Sequence, residues 1–386
     1  RTDPIQAGRL VYNREEVSGM LKQFKTIGWD KYIDILLLLF LVSFPLVASL
    51  FRVEMMSKCI IYIVFALSLD ILWGTAGLMN LGQAMFFGLG GYVLALSYAT
   101  RDGVPAFMSG FGVTEVPWFM QILHNTPVAV LLGMLIPGLV AGLLGYFIFT
   151  SKVKGVFFNI ITLSLASLIE LFFTNQQKYT GGANGISGLP PLTIGDEPLS
   201  VLEHYYVMLA VGLLVYLFCR WLTHSRFGMI LRSVRENESR LQFLGFNPAA
   251  FKLAIFVISG MIAGLAGMLY IPIGSFVSPT NIGVGFSTAV LVWLAVGGRG
   301  NLTGAMIGAF LVTWLESLLS EHFENVWLLI LGAVMLAVVM FFPKGLVGTL
   351  LDWQYCRRVD RQLGDVSCDD ELELLDGELA TAKGKV

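Results

Sequence analysis

The sequence has few charged residues and no cysteine motif, and these absences exclude several classes of protein. Asp, Glu, Lys and Arg make up only 13% of the 386 residues, whereas about a quarter of a soluble domain is charged. The four cysteines are scattered without a CxxC pair, so neither a disulfide framework nor a zinc site is indicated. With 56% hydrophobic residues and a mean hydropathy of +0.74, the chain is typical of a helical protein that crosses a bilayer several times.

Sequence motifs for catalysis are also missing. There is no GxxxxGK[ST] phosphate-binding loop, no HExxH zinc motif and no GxSxG nucleophile turn. No segment interleaves basic and aromatic residues in the manner of a nucleic-acid-binding surface. We therefore expect a transport subunit rather than an enzyme, with no catalytic residues, no metal, no cofactor and no nucleic-acid partner.

Long apolar runs predict an all-α polytopic membrane protein with about ten transmembrane helices in the lipid bilayer. Residues 1–33 are expected to form a cytoplasmic or interfacial segment, either an amphipathic helix or a mobile tail. Residues 34–350 form the transmembrane domain, and residues 351–386 form an acidic flexible cytoplasmic tail. The predicted spans are 34–51, 59–73, 78–99, 127–149, 156–173, 205–222, 253–274, 285–296, 302–319 and 326–342.

The basic residues predict that both termini are cytoplasmic. The positions that this orientation places inside are 152–154, 223–252, 299 and 344–361. The long loops 100–126 and 174–204 then face outward with one basic residue each. Arg52 and Lys58 alone fall on the unfavoured side.

Two glycine-rich passages, 74–92 and 260–276, occupy similar places in the two halves of the chain. Broken helices at corresponding positions are typical of transporters with an internal inverted repeat, and we expect that plan here. Close packing of unbroken helices is the alternative, because glycine lets two backbones approach. Three carboxylates fall inside predicted spans, and each is either a functional residue or a structural hydrogen-bond partner. They are Asp70, Glu170 and Glu316.

The polar loop 223–252 carries an unusual pattern for a connector. Its apolar residues recur at helical spacing, first at 227, 230, 231 and 234 and again at 241 and 244, with arginines among them. Gly245 is where a helix is expected to stop, and Asn247 with Pro248 is a turn that starts the next one. We predict a short basic amphipathic helix, or a pair, on which a cytoplasmic motor pushes. An ordinary basic connector is the alternative.

Several motifs resemble the branched-chain amino-acid and urea type of ABC importer permease. The stretch LDILWGTAGLMNLGQAMFFGLGGY at 69–92 resembles the signature of that family, and SRFGMILRSVRENESRLQFLGF at 225–246 resembles its ATPase-coupling loop. AVLVWLAVGGRGNLTGAMIGA at 289–309 and FFPKGLVG at 341–348 are also similar. The resemblance implies a homologous second permease subunit, two ABC ATPase subunits and an extracytoplasmic substrate-binding protein as partners, and a location in a bacterial inner membrane. It also implies a coupling helix at about 228–245, with Arg232, Arg235, Glu238, Leu241, Leu244 and Gly245 as ATPase-coupling residues.

Within this family, three stretches resemble the second permease subunit of urea importers: NESRLQFLGF at 237–246, VWLAVGGRGNLTG at 292–304 and VPWF at 116–119. We therefore expect half of a passage for urea or a related short amide. TGGANGISGLPPL at 180–192 is closer to the amino-acid branch, so a permease for branched-chain or other amino acids is the alternative. A stand-alone ion-coupled transporter and a passive urea channel are more distant alternatives. The expected substrate pathway, for which helix packing is the competing explanation, consists of Asn80, Gln83, Phe86, Phe87, Thr162 and Glu170.

Overall fold

The structure is a computed structural model in which residues 29–349 are described, with gaps at 102, 152, 154, 195–196, 323–325, 327–328, 331, 334–335, 337–339 and 341–344. The expectations for residues 1–28, Lys152, Lys154 and the tail from residue 350 lie outside the described residues. Residues 42–348 form one compact unit, and residues 1–41 and 349–386 form a second. All contacts described below lie within the first unit.

Helices make up almost all of the described chain, which confirms the all-α class. Two antiparallel pairs of two-residue strands are the described β-structure: β1 (Ile186–Ser187) pairs with β4 (Phe276–Val277), and β2 (Thr193–Ile194) with β3 (Glu197–Pro198). The helices are α1 (Trp29–Ser43), α2 (Leu50–Asp70), α3 (Gln83–Ala99), α4 (Ala106–Ser109), α5 (Trp118–Gln121), α6 (Thr126–Thr150), α7 (Val156–Asn175), α8 (Gln177–Thr180), α9 (Val201–His224), α10 (Arg226–Glu236), α11 (Glu238–Phe243), α12 (Pro248–Gly274), α13 (Val284–Gly297) and α14 (Leu302–His322).

Seven helical segments of the described residues are long and apolar enough to cross a membrane, and two shorter apolar helices accompany them. Each of the first nine predicted spans overlaps one of these helices, and the tenth, 326–342, falls largely on residues outside the described part. The nine helices are Leu50–Thr75, Thr126–Thr150, Val156–Asn175, Val201–His224, Pro248–Gly274, Pro279–Gly297, Leu302–His322 and the shorter Leu36–Leu46 and Gln83–Ala99.

Helix α2 lies at the centre of the unit, and most of its side chains are buried. It packs against α9, α12, α13 and α14, while α3, α6 and α12 pack against one another. At its end, α2 continues into a wide π-type turn, Ile71–Thr75, and the chain then leaves the helix until α3 begins at Gln83. The first glycine-rich passage is therefore a broken segment, as predicted.

The second glycine-rich passage is not broken, and that expectation is wrong. Helix α12 runs without interruption from Pro248 to Gly274. Its glycines allow close packing instead: a side chain at Gly264 would collide with α6, and one at Gly267 would collide with the backbone of α3 at Phe87. The inverted repeat inferred from two broken segments stays a prediction.

Loops that the charge pattern assigns to one side of the membrane meet at one end of the unit. Val153 and Gly155 lie beside Arg235 and Arg299 around a shared cavity. At the other end, Arg52, which the charge rule disfavoured, forms an ion pair of 3.5 Å with Glu321 at the end of α14. Both side chains are more than a third exposed, so this ion pair contributes at most about 1 kcal/mol.

Candidate functional site

Loop 223–252 forms two short helices, α10 and α11, which we call the coupling pair. Side-chain oxygens accept backbone N–H hydrogen bonds at each helix start: Ser225 from Gly228, Asn237 from Arg240, and Asn247 from Ala249 at the start of α12. Gly245 has a φ of +84°, so the pair ends in a left-handed residue as predicted. The structure thus has two short helices in this loop, where the family resemblance implied one coupling helix at about 228–245.

Helix α10 buries one face and exposes the other. Gly228, Leu231 and Val234 are buried at a spacing of three, while Met229 and Arg232 face solvent. This agrees with the predicted amphipathic pattern. The Arg232 guanidinium donates to the carbonyl oxygen of Thr223, so this residue stabilises the start of its own loop.

Helix α11 differs from its predicted pattern. The sequence pattern treats Leu241 and Leu244 alike, as apolar coupling residues, but Leu241 is only 6% exposed and is buried within the chain. Leu244 is 73% exposed, and Phe243 is 92% exposed. Asn237 caps a new helix, so the periodicity of α10 does not continue into α11. Recognition of Asn237 as a capping residue is the sequence signal that marks the start of this second helix.

Two further residues of the predicted coupling set bind other helices. The Arg235 guanidinium donates to the carbonyl oxygen of Gly74 in the π-type turn. Glu238 forms an ion pair of 2.9 Å with Lys252, whose side chain is nearly buried at the start of α12. Arg235 thus links α10 to the turn that follows α2, and Glu238 links α11 to α12. Helix α10 also contacts α12 through the rings of Phe227 and Phe251, whose centres are 5.7 Å apart.

A buried carboxylate completes the region around Gly74. Asp70 accepts a hydrogen bond of 2.8 Å from the backbone N–H of Gly300, in the turn between α13 and α14. A side chain at Gly74 would collide with Gly300, so the two backbones are in direct contact. In the same turn, the Arg299 guanidinium lies 5.6 Å from the centre of the Trp73 ring. Asp70 therefore has a structural partner, which was one of the two expectations for it.

A cavity of about 320 Å³ lies between these contacts, at the end of the unit where the coupling pair sits. Its wall includes Trp73, Gly77, Phe158, Arg235, Lys252 and Arg299. The positive charge of Lys252 is paired with Glu238. Residues of both contacts, Arg235 of α10 and the Glu238–Lys252 pair, form part of its wall.

Four residues of the predicted substrate pathway lie together inside the unit. Asn80, Gln83, Phe86 and Phe87 are all at most 1% exposed. The Asn80 amide donates to Gln83, and the Gln83 amide donates to the hydroxyls of Ser68 on α2 and Ser259 on α12, each at 2.9 Å. These groups join α2, α3 and α12. Their role in a pathway stays a prediction, because in this structure they face neighbouring helices.

Thr162 and Glu170, the other two predicted pathway residues, lie on α7. The backbone oxygen of Thr162 packs against Gly82 at the start of α3, and its hydroxyl donates to Asn159. The Glu170 carboxylate lies against Gly283, the residue that precedes α13. A negative charge beside a helix N-terminus is stabilised by the helix dipole. Among the described residues, neither side chain shares a hydrogen bond with the Gln83 cluster.

Comparisons with known proteins agree on the family. The family described as "Branched-chain amino acid transport system / permease component" matches residues 51–339. The "High-affinity branched-chain amino acid transport system permease protein LivM" of Escherichia coli (strain K12) is 26% identical, over 82% of this chain and 75% of the relative. Two proteins of Methanocaldococcus jannaschii are each 25% identical. They are the "Probable branched-chain amino acid transport permease protein LivM" and the "Probable branched-chain amino acid transport permease protein LivH". The matches cover 74% and 77% of this chain and 90% and 91% of these relatives.

No solved structure matches the chain. The family match covers the central helix, the coupling pair and the turn between α13 and α14, so it includes every residue of the site described above. Family membership confirms the expectation of a transport subunit rather than an enzyme. The chain belongs to the family of permease components of branched-chain amino acid transport systems.

Proposed function

We propose that the chain is one of two permease subunits of an ATP-driven importer and that its substrates are branched-chain amino acids. The relatives described above carry this substrate in their names, and the family description does so too. These names support the amino-acid permease that the sequence motifs gave as the alternative. They give no support to urea as the substrate. The partners are two ABC ATPase subunits, a second permease and an extracytoplasmic binding protein.

One observation carries the transport mechanism: the coupling pair exposes large apolar side chains at its tip. Phe243, Leu244 and Phe246, at the end of α11 and just after it, are 92%, 73% and 43% exposed, and exposed arginines lie elsewhere on α10 and α11. Clustered apolar side chains in water favour burial against a partner. An aromatic side chain that enters a pocket is the kind of anchor that dominates an interface. The ATPase is the partner that this tip binds.

Co-purification of the ATPase with the permease tests this assignment. The double variant Phe243→Asp, Leu244→Asp is expected to insert normally but to retain less than about a tenth of the ATPase, because loss of an anchor costs 2 kcal/mol or more. Ser233→Asp, exposed on α10, is the control for an added negative charge and is expected to retain the ATPase. ATPase retention by the double variant at the wild-type level would contradict the assignment.

The exposed face of α7 is the surface we assign to the passage between the two permeases. Only 17% of its most apolar stretch is buried, and Ser164 and Ser167 lie on its exposed face. Hydroxyl groups on the outside of a membrane helix favour water or a polar partner over lipid tails. The similarity of this chain to both a LivM and a LivH of one organism supports a pair of homologous permeases.

Cysteine accessibility tests the passage. In the assembled importer, Ser164→Cys is expected to react with a water-soluble thiol reagent and to be protected by substrate. Leu131→Cys, at an exposed apolar position on α6, is expected to stay unreactive because it faces lipid. Equal reactivity at the two positions would remove α7 from the passage.

The substrate is tested at the binding protein. Calorimetric titration of the cognate binding protein with leucine and with urea separates the two substrate classes. We expect a micromolar or tighter dissociation constant for leucine and no measurable heat with urea. The reverse result would return the assignment to urea.

A further inference from the structure

We propose that Arg235 is the positioning residue that transmits movement of the coupling pair to the central helix α2. This proposal rests on the proposed function, because it assumes that an ATPase moves α10 and α11. It adds a specific route through the permease: Arg235 to Gly74, and from there to the turn between α13 and α14.

The first step of the route is the contact between Arg235 and the end of α2. Arg235 lies on the coupling pair, and its guanidinium donates to the Gly74 carbonyl oxygen. The aliphatic part of Arg235 packs against Gly77, where a side chain would come within 2.9 Å of its Cγ atom. A charge-assisted hydrogen bond and a close packing contact therefore join α10 to the segment that follows α2.

The second step depends on the conformation of that segment. Ile71–Thr75 forms a π-type turn, a place where the regular backbone bonding of a helix is interrupted and the helix can bend. A force applied at the Gly74 carbonyl acts at this weak point. A movement of α10 can thus change the direction of α2 without breaking the buried helix itself.

The third step carries the movement beyond α2. Gly74 lies in backbone contact with Gly300, and the Gly300 N–H donates to the buried Asp70 carboxylate at 2.8 Å. The Arg235 guanidinium also lies beside Gly300, where an added Cβ atom would be 3.5 Å from its Nη1 atom. The end of α2, the turn between α13 and α14, and the coupling helix α10 therefore meet at one point.

The cavity beside this meeting point gives the contact room to move. It has a volume of about 320 Å³, and Arg235, Gly77 and Trp73 form part of its wall. On its far side, Glu238 and Lys252 hold α11 to α12 through an ion pair of 2.9 Å. Arg235 and the Glu238–Lys252 pair line the same open space, so the contact of Arg235 with Gly74 has room to shift while the ion pair stays intact.

Arg235→Ala tests the proposal in the assembled importer, with wild type and Arg226→Ala as references. Arg226 is exposed on the same helix. Three quantities are measured: ATPase retained on purification, ATP hydrolysed, and radiolabelled leucine taken up per ATP. Arg235→Ala is expected to retain the ATPase and hydrolyse ATP, while leucine uptake per ATP falls about tenfold, as when one charge-assisted hydrogen bond is lost. Arg226→Ala is expected to match wild type.

A conservative variant separates transmission from simple stability. Arg235→Lys keeps a positive donor and is expected to recover part of the uptake per ATP. The proposal is overturned if Arg235→Ala transports as much leucine per ATP as wild type. It is also overturned if both Arg235 variants lose the ATPase or fail to reach the membrane, because the contact would then be structural only. If the wild-type chain itself retains no ATPase, the proposed function fails, independently of Arg235.

Discussion

Single polar residues inside the unit act as links between helices. Gln83 is fully buried, and its amide accepts from Asn80 and donates to hydroxyls on two other helices. Each of these groups would be unsatisfied if its partner were removed, since lipid and apolar side chains offer no replacement. The amide of Gln83 is therefore a structural requirement of this conformation.

Gln83→Leu is expected to destabilise the permease. The substitution leaves the Asn80 amide without its acceptor, which costs about 1–3 kcal/mol. The midpoint of thermal unfolding in detergent measures the change. Gln242→Leu, at an exposed position on α11, is the matched control and is expected to leave the midpoint within error. An unchanged midpoint for Gln83→Leu would show that the cluster contributes no stability.

Leu241 and Leu244 provide a second contrast, because the sequence pattern treats them alike and the structure does not. Leu241→Ala is expected to lower the free energy of unfolding by about 2–4 kcal/mol, as for other buried leucines. Leu244→Ala is expected to change it by less than about 0.5 kcal/mol, since Leu244 is exposed. Thermal unfolding of the two variants side by side measures the difference. Equal destabilisation would mean that Leu244 is also buried.

At the scale of elements, glycine determines how closely α3 and α12 approach. Gly90 of α3 faces Gly264 of α12, and Gly267 faces the backbone at Phe87. Any side chain at these positions has no space, so the two helices would separate. The close approach also brings Ser259 within reach of Gln83, which links the packing of the elements to the buried polar cluster.

Gly267→Ala is therefore expected to destabilise the unit by about 1–3 kcal/mol through overpacking. Gly285→Ala, in helix α13, is the matched control, because no atom lies within 4 Å of an added methyl group there. The expected ranking in thermal unfolding is Gly267→Ala well below wild type and Gly285→Ala at or above it. A tolerated Gly267→Ala would contradict the close contact.

The sequence predicts the positions of the helices better than the points where a helix is interrupted. Apolar runs located nine helices, and the capping residues around Gly245 and Pro248 were recognised because they act locally. The continuity of α12 was not predictable, since the same glycines suit a broken helix and a tightly packed one. The contact of Arg235 with Gly74 joins residues 161 positions apart, and no local pattern contains such a contact.

At the scale of the whole molecule, the charge pattern makes a prediction about orientation. The loops assigned to one side do meet at one end of the unit, and the side of the membrane they occupy remains a prediction. Cysteines placed at Gly110 and at Ser239 test it with a membrane-impermeant label in intact cells. Gly110→Cys is expected to react from outside and Ser239→Cys only after permeabilisation. Reaction of Ser239→Cys in intact cells would invert the orientation.

The sequence determines the family of this permease more fully than it determines the substrate. The class of permease follows from motifs spread over the whole transmembrane unit, such as the glycine-rich segment 69–92 and the turn around Arg299. Substrate choice depends on a few side chains along a passage between two subunits. The buried position of Gln83 and Phe86 shows why residues taken from a motif do not by themselves identify that passage.

The most direct test of the account is substrate uptake into vesicles that contain the two permeases and the ATPase, with the binding protein outside. The account predicts that radiolabelled leucine accumulates only when ATP and the binding protein are both present, that excess urea does not compete, and that uptake persists after the ion gradients are collapsed. Uptake that proceeds without ATP but stops with the ion gradient would contradict it.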